Sequence, residues 1–318
     1  MQPSDFNIGH PELKGFEAHY DKEVLPYLQA QEAVRLDAIL KTKILSAIIV
    51  VLSILATFLV FRLSSNPKFN ILPMFLGAAA IMAVYAYLTA SVRSATKEKI
   101  VGAICGYVGW TFVSKVKIPP DLTIWSTLRL LPKVDSFLSN RRASFEDHIF
   151  GAAHGTEFES IEFHIEERSD KKWRTLMRGQ MMSLTFPQRF LGTTVVLRDK
   201  KIFQSKTIAN MKRVGLVDPV FEDIFEAYGT DQVEARYLLT PTFMQRLVDL
   251  EKSVSGKNIR FGFCEGRLLI IVETPNQFEA GSMFSTLLST ERTQKILDEI
   301  AAVFHLVDGV MKPLPRHQ

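Results

Sequence analysis

Two stretches of the chain carry no charged side chain. Ile44 to Phe61 reads ILSAIIVVLSILATFLVF over 18 residues, and Leu72 to Ala90 reads LPMFLGAAAIMAVYAYLTA over 19. A helix needs about 20 apolar residues, within a range of roughly 17–25, to cross a bilayer core. Both stretches predict transmembrane helices, since helices buried in a soluble core are usually shorter and keep a polar edge. The connecting RLSSNPKFN, Arg62 to Asn70, is short and rich in turn formers, so the spans form an antiparallel hairpin. Pro73 falls in the first turn of the second span, where the missing N–H costs little. Gly77, Ala78, Ala79 and Ala80 give that span a small-residue face that admits close approach of the first helix.

Upstream, Leu28, Leu36, Ile39 and Leu40 recur at helical spacing and predict a helix from about Pro26 running into the first span. Downstream, Ile100, Val101, Ile104 and Tyr107 extend the second helix to about Gly106, before Gly109 and Pro119-Pro120 break it. Residues 121–142 place Leu128, Leu130, Leu131 and Phe137 among basic residues. This segment either lies at the headgroup level or connects to a folded domain. From about residue 145 the period becomes that of a strand. Ile161, Phe163 and Ile165 alternate with Glu162, His164 and Glu166, a half-buried pattern. Strands are also predicted over Trp173–Phe186, Gly192–Leu197, Phe221–Tyr228 and Val233–Leu239. A hairpin is predicted from Ile259–Phe263 and Leu268–Glu273, with helices starting at Thr240-Pro241 and spanning Thr290–Val307. The predicted fold class is a membrane-anchored α+β protein, in which a two-helix transmembrane hairpin precedes a soluble domain with an antiparallel or mixed sheet and flanking helices. The predicted divisions are an N-terminal helical arm (1–43), the hairpin (44–90), a basic juxtamembrane helix and connector (91–144) and the soluble domain (145–318).

Charge refines this picture. The net charge of +4 over 318 residues is mild and gives no reason to expect nucleic acid. Residues 94–142 nevertheless hold 8 basic against 3 acidic side chains, where anionic headgroups would attract them. Arg93, Lys97, Lys99, Lys115 and Lys117 are the candidate headgroup contacts, and the bilayer with its anionic lipids is the expected partner. Arg35, Lys41 and Lys43 precede the first span, Arg93, Lys97 and Lys99 follow the second, and the loop holds only Arg62 and Lys68. This bias places both termini in the cytoplasm. Two cysteines, Cys105 and Cys264, form no disulfide framework and are expected as reduced thiols.

The candidate chemistry is sparse. Asp147, His148, His154 and His164 lie close in sequence but lack metal-ligand spacing, so no metal or cofactor is expected. Arg168, Lys171, Lys172, Arg174 and Arg178 surround Trp173, with Glu166, Glu167 and Asp170 interrupting them. That mixture is expected as a solvated hairpin end. In TDQVEARYLLTP, Asp231 and Arg236 would suit an acid and an electrostatic clamp. Equally, Asp231 would cap a turn while Glu234 and Arg236 pair on one strand face. Asp147, Asp231, Glu234 and Arg236 are the candidate functional surface. Glycine-rich phosphate loops, the Gly-x-Ser-x-Gly elbow, His-Glu-x-x-His and Cys-x-x-Cys are all missing from the sequence.

Three runs resemble a known family: FEDHIFG with GTEF (145–151, 155–158), FEDIF (221–225) and TDQVEARYLLTP (230–241). They are similar to the bacterial membrane proteins grouped as domain of unknown function 3137, whose two-span hairpin also precedes the domain. The resemblance implies a bacterial inner-membrane protein without an assigned activity and supplies no catalytic residues. The expected function is therefore a membrane-tethered cytoplasmic binding or scaffold module, with a protein partner or a second copy. An enzyme acting through the Asp231–Arg236 region is the alternative. A transporter subunit would need partners, because the two spans carry no internal charge.

Overall fold

The computed structural model describes residues 5–63, 71–134, 140–186, 190–198, 208, 210–253 and 258–311. Most of the loop between the apolar stretches (64–70) and Phe137 lie outside the described residues. By its internal contacts the chain divides into two compact units. One comprises Met1–Asn7, Gly15–Ala103 and Glu279–Ile296, the other Ile8–Lys14, Ile104–Phe278 and Leu297–Gln318.

The first unit is helical. A short helix, α1 (Phe16–His19), leads through a π-turn into α2 (Leu25–Leu63), and α3 (Leu72–Tyr107) follows the loop. At 1.5 Å per residue, 39 residues make α2 about 58 Å long. Both helices are long and apolar enough to cross a membrane. The most apolar 18-residue window is 0% buried in the first and 17% buried in the second. Gly77 is where the helices meet, since a Cβ there would collide with the Ser53 side chain. On the polar side of α2, Arg35 is buried and forms a fork on Glu32, at 2.9 Å from Nε and 2.7 Å from Nη2, while its Nη1 donates to the Met283 carbonyl at 2.7 Å. Glu32 also accepts from the Leu287 N–H at 2.9 Å, and the Arg35 hydrogen bond holds its carboxyl down at about 2.

The second unit is built on one nine-stranded sheet: β1 (Thr111–Lys115), β2 (Arg141–Ala153), β3 (Thr156–Ser169), β4 (Lys172–Thr185), β5 (Thr194–Arg198), β6 (Lys212–Val214), β7 (Phe225–Gly229), β8 (Arg260–Cys264) and β9 (Arg267–Glu273). The order is β1-β2-β3-β4-β9-β8-β5-β7-β6, and every pairing is antiparallel, which decides between the antiparallel and mixed alternatives. Between strands lie α4 (Thr123–Thr127), α5 (Pro219–Ile224), α6 (Gln232–Leu238) and α7 (Pro241–Ser253). The helix α8 (Thr290–Met311) closes the chain. As expected, Thr240 caps α7, its Oγ1 accepting from the Phe243 N–H at 3.3 Å.

Both sheet faces are covered. Ile161, Phe163, Ile165, Met181, Leu269 and Ile271 pack with Trp125, Leu128, Leu130 and Leu131. Four apolar side chains of the 121–131 stretch therefore line the core, and the sheet begins at Thr111. On the other face Trp110 stacks on Phe304 at 3.9 Å and meets Phe158 edge-on at 4.7 Å. Gly151 makes room for Trp110, because a Cβ there would lie 2.6 Å from the indole.

Three sequence expectations are corrected. Val233–Leu239 is not a strand. The segment is the helix α6, because Asp231 caps it and Ala235 and Leu238 bury one helical face. Phe221–Tyr228 is not one strand. Asp218 and Pro219 start the short helix α5, and the strand begins only at Phe225. Glu162 is not on a solvated face but is 0% exposed.

Candidate functional site

The TDQVEARYLLTP run is resolved residue by residue. Asp231 Oδ1 accepts from the backbone N–H of Val233 and Glu234 at 2.8 and 3.1 Å, the arrangement of a helix N-cap. Glu234 projects sideways and accepts from the N–H groups of Leu191 and Gly192 at 2.7 and 2.6 Å, one per carboxylate oxygen. A Cβ on Gly192 would collide with that carboxylate, so the close approach requires glycine. Thr230 Oγ1 accepts from the Thr193 N–H at 2.9 Å, and Gln232 donates to the Lys212 and Arg213 carbonyls at 3.3 and 3.2 Å. Arg236 reaches the Gly215 carbonyl at 3.4 Å. Thr230, Asp231, Gln232, Glu234 and Arg236 thus all bond the protein's own backbone, and together they latch α6 to the ends of β5 and β6.

Asp147 lies elsewhere. It is fully buried at φ +54°, at the bulge where the β2–β3 register shifts between Glu146 and His148. β2 stands second in the sheet and β7, beside α6, stands eighth. Six strand spacings separate them, about 29 Å along the sheet. The structure does not bring the four candidate residues into one site. The three histidines near Asp147 also part company. His148 lies 3.6 Å from Glu159, His154 bonds Asp308 at 2.6 Å, and His164 bonds Thr175 at 2.8 Å. Among the described residues no group of three His, Cys, Asp or Glu is placed to hold a metal ion.

Two of the concave regions formed by the described residues lie on this unit. The larger, about 790 Å³, is an open groove at one end of β2, β3, β4 and β9, lined by His148, Phe150, Phe158, Glu159, Thr185 and Arg267 among others. Pairing dictates it: Phe150 stands opposite Glu159, and Thr185 opposite Arg267. Glu159 sits between His148 and Arg267, 3.1 Å from the guanidinium, and these neighbours hold its carboxyl below the ordinary carboxylate range. A carboxylate held ionised is a poor general acid. The smaller is a cavity of about 310 Å³ under α8, lined by Gln180, Leu250, Val272, Thr274, Gln277, Glu299 and Leu306 among others. Behind it, Glu162 accepts from Arg178 and from the Gln277 N–H, both at 3.1 Å, yet burial outweighs them and pushes its carboxyl up to about 7.

Residues 175–312 match the family described as protein of unknown function (DUF3137). The resemblance to DUF3137 is shown. The match takes in FEDIF, TDQVEARYLLTP, α6 to α8 and the cavity side of the sheet, but not the FEDHIFG run or the apolar helices. No protein of curated function matches the chain. One solved structure, the crystal structure of the mycobacterial trehalose monomycolate transport factor A, TtfA, aligns at 12% identity over 70% of this chain and 97% of its own, with a TM-score of 0.32. The α6 latch, whose carboxylates are engaged by backbone, lies within the matched residues.

The candidate headgroup cations have separate surroundings. Lys97 is buried and lies 3.7 Å from Glu279, and Lys99 sits over the Tyr27 ring at 5.7 Å. Arg93 is half-buried, while Lys115 and Lys117 are exposed. Sequence reasoning missed Glu159, Arg267 and the buried Glu162. No spacing signals them, because strands distant in the chain bring them together.

Proposed function

We propose that this chain is an integral membrane protein of a bacterial inner membrane, whose sheet unit serves as a cytoplasmic binding or scaffold module. The observation that carries the reading is the apolar surface of the two long helices. In α2 the most apolar window is entirely unburied, with Leu52, Leu55, Phe58 and Leu59 each more than half exposed. Apolar surface on that scale is stable against hydrocarbon and costly against water. The flanking charge bias supports cytoplasmic termini, and Lys115 and Lys117 remain available to anionic headgroups. The open groove is the surface offered to a partner, a protein or a second copy of the chain. The enzyme alternative gains no support from Asp231, Glu234 and Arg236, all of which bond backbone.

Two experiments test this. Alkaline carbonate extraction of native membranes should leave the chain in the pellet, and quantitative release would end the anchor reading. A photo-crosslinking amino acid at Phe150, in the groove, should give a discrete adduct in native membranes that the same group at Val220 does not give. Identical products from both positions would remove the groove from consideration.

A further inference from the structure

The tip of the β3–β4 hairpin carries charge that the fold does not neutralise. Arg141 and Arg142 are paired with Glu167 and Glu166, at 2.8 and 2.6 Å. Among the described residues, Arg168, Lys171, Lys172 and Arg174 have no carboxylate within 4.0 Å. All four are exposed, and between Arg168 and Arg174 the only acid is Asp170. Trp173 sits among them, 38% exposed, with the Arg142 guanidinium 4.3 Å from its ring centre, and Leu176, three residues further along the strand, is 41% exposed. The turn itself is strained toward charge. Asp170 and Lys171 both adopt positive φ, +49° and +65°, the two-residue hairpin geometry that glycine or asparagine usually supplies. A lysine holds the apex where glycine would cost less.

We propose that this hairpin tip docks on an anionic phospholipid surface, its four unpaired cations meeting the headgroups and Trp173 entering the interface. A basic and aromatic tip would also suit single-stranded nucleic acid, which binds by stacking bases on open aromatic faces. Here Arg142 already lies over one face of Trp173, which halves the ring surface open to a base. A half-exposed indole ringed by cations suits the bilayer interface, where aromatic side chains anchor. The inference does not depend on the helical spans, since it concerns the hairpin alone.

Trp173 supplies its own probe. The chain has three tryptophans, and Trp110 and Trp125 are 4% and 5% exposed. The full chain would be held in nanodiscs of zwitterionic lipid or of phosphatidylglycerol, and challenged with vesicles of each kind carrying brominated acyl chains. Quenching is expected from zwitterionic discs challenged with brominated phosphatidylglycerol vesicles only, and Trp173→Phe should abolish it. Lys171→Gly is the discriminating variant. It removes a cation while relieving the positive φ, so the melting temperature should hold or rise while partition weakens about fivefold at low salt. Lys172→Thr should add a similar factor. Quenching indifferent to lipid charge, or unchanged in both variants, would overturn the proposal. So would quenching of Trp173 by single-stranded RNA with none by phosphatidylglycerol.

Discussion

Two glutamates with opposite shifts set opposite pH dependences. Glu162 rests near 7 in the folded chain against an ordinary value of 4.5, because burial disfavours its charged form. The folded state therefore keeps a proton that the unfolded chain has released. The stability linked to that proton is fully present below about 4.5 and is lost as pH rises through about 7. Glu162→Gln should flatten that loss, visible as a smaller fall in melting temperature over this window than in the parent chain. Glu32 behaves in the reverse sense. Its carboxyl is held at about 2 by Arg35, so its contribution is present above 4.5 and lost as pH falls toward 2. Glu32→Gln should weaken the chain at neutral pH and reduce its sensitivity to acid, measurable in the same melting series.

The element that most changes the reading of the motif is α6. Its seven residues are too short to be stable alone, so the cap and the latch decide its existence. Asp231→Ala removes the cap and should cost about 1 kcal/mol. Glu234→Ala strips two backbone N–H groups of their acceptor and should cost about 1 kcal/mol in denaturant titrations, since water reaches the exposed Leu191 N–H. Equal, negligible losses would show that the latch is not structural. In the helical unit, Gly77→Leu drives a side chain into Ser53 and should destabilise the α2–α3 contact by about 1–3 kcal/mol, read as earlier unfolding of the detergent-solubilised chain.

For the whole molecule the open prediction is sidedness. Cys105 and Cys264 are both buried, with thiols pushed up to about 12 and 11, so neither reacts readily from either side. An added cysteine is therefore read against a silent background. Ser65→Cys should react with an impermeant thiol reagent in intact cells, and Lys172→Cys only after permeabilisation. The opposite labelling would invert the proposed topology.

Much of this architecture was legible in the residues alone. Uninterrupted apolar runs demand helices that reach about membrane thickness, and the helical stripe ahead of them made α2 one unbroken element from Leu25. The alternation at Ile161, Phe163 and Ile165, and the Thr240-Pro241 start of α7, are local signals that the fold honours. Local signals failed where distant segments decided the environment. Val233–Leu239 has strand-forming residues, and while the cap at Asp231 is local, the acceptor at Glu234 only acquires meaning once Leu191 and Gly192 arrive beside it. Glu162 sits on what looks like the wet face of a strand until Gln277 and Arg178 close over it. The groove could not be read at all, since Phe150, Glu159 and Arg267 meet only through strand register. The sequence by itself determined the elements whose periodicity is contained in their own residues. Tertiary structure decided which charges are buried, latched or free, because solvation and pairing depend on neighbours that lie far away along the chain.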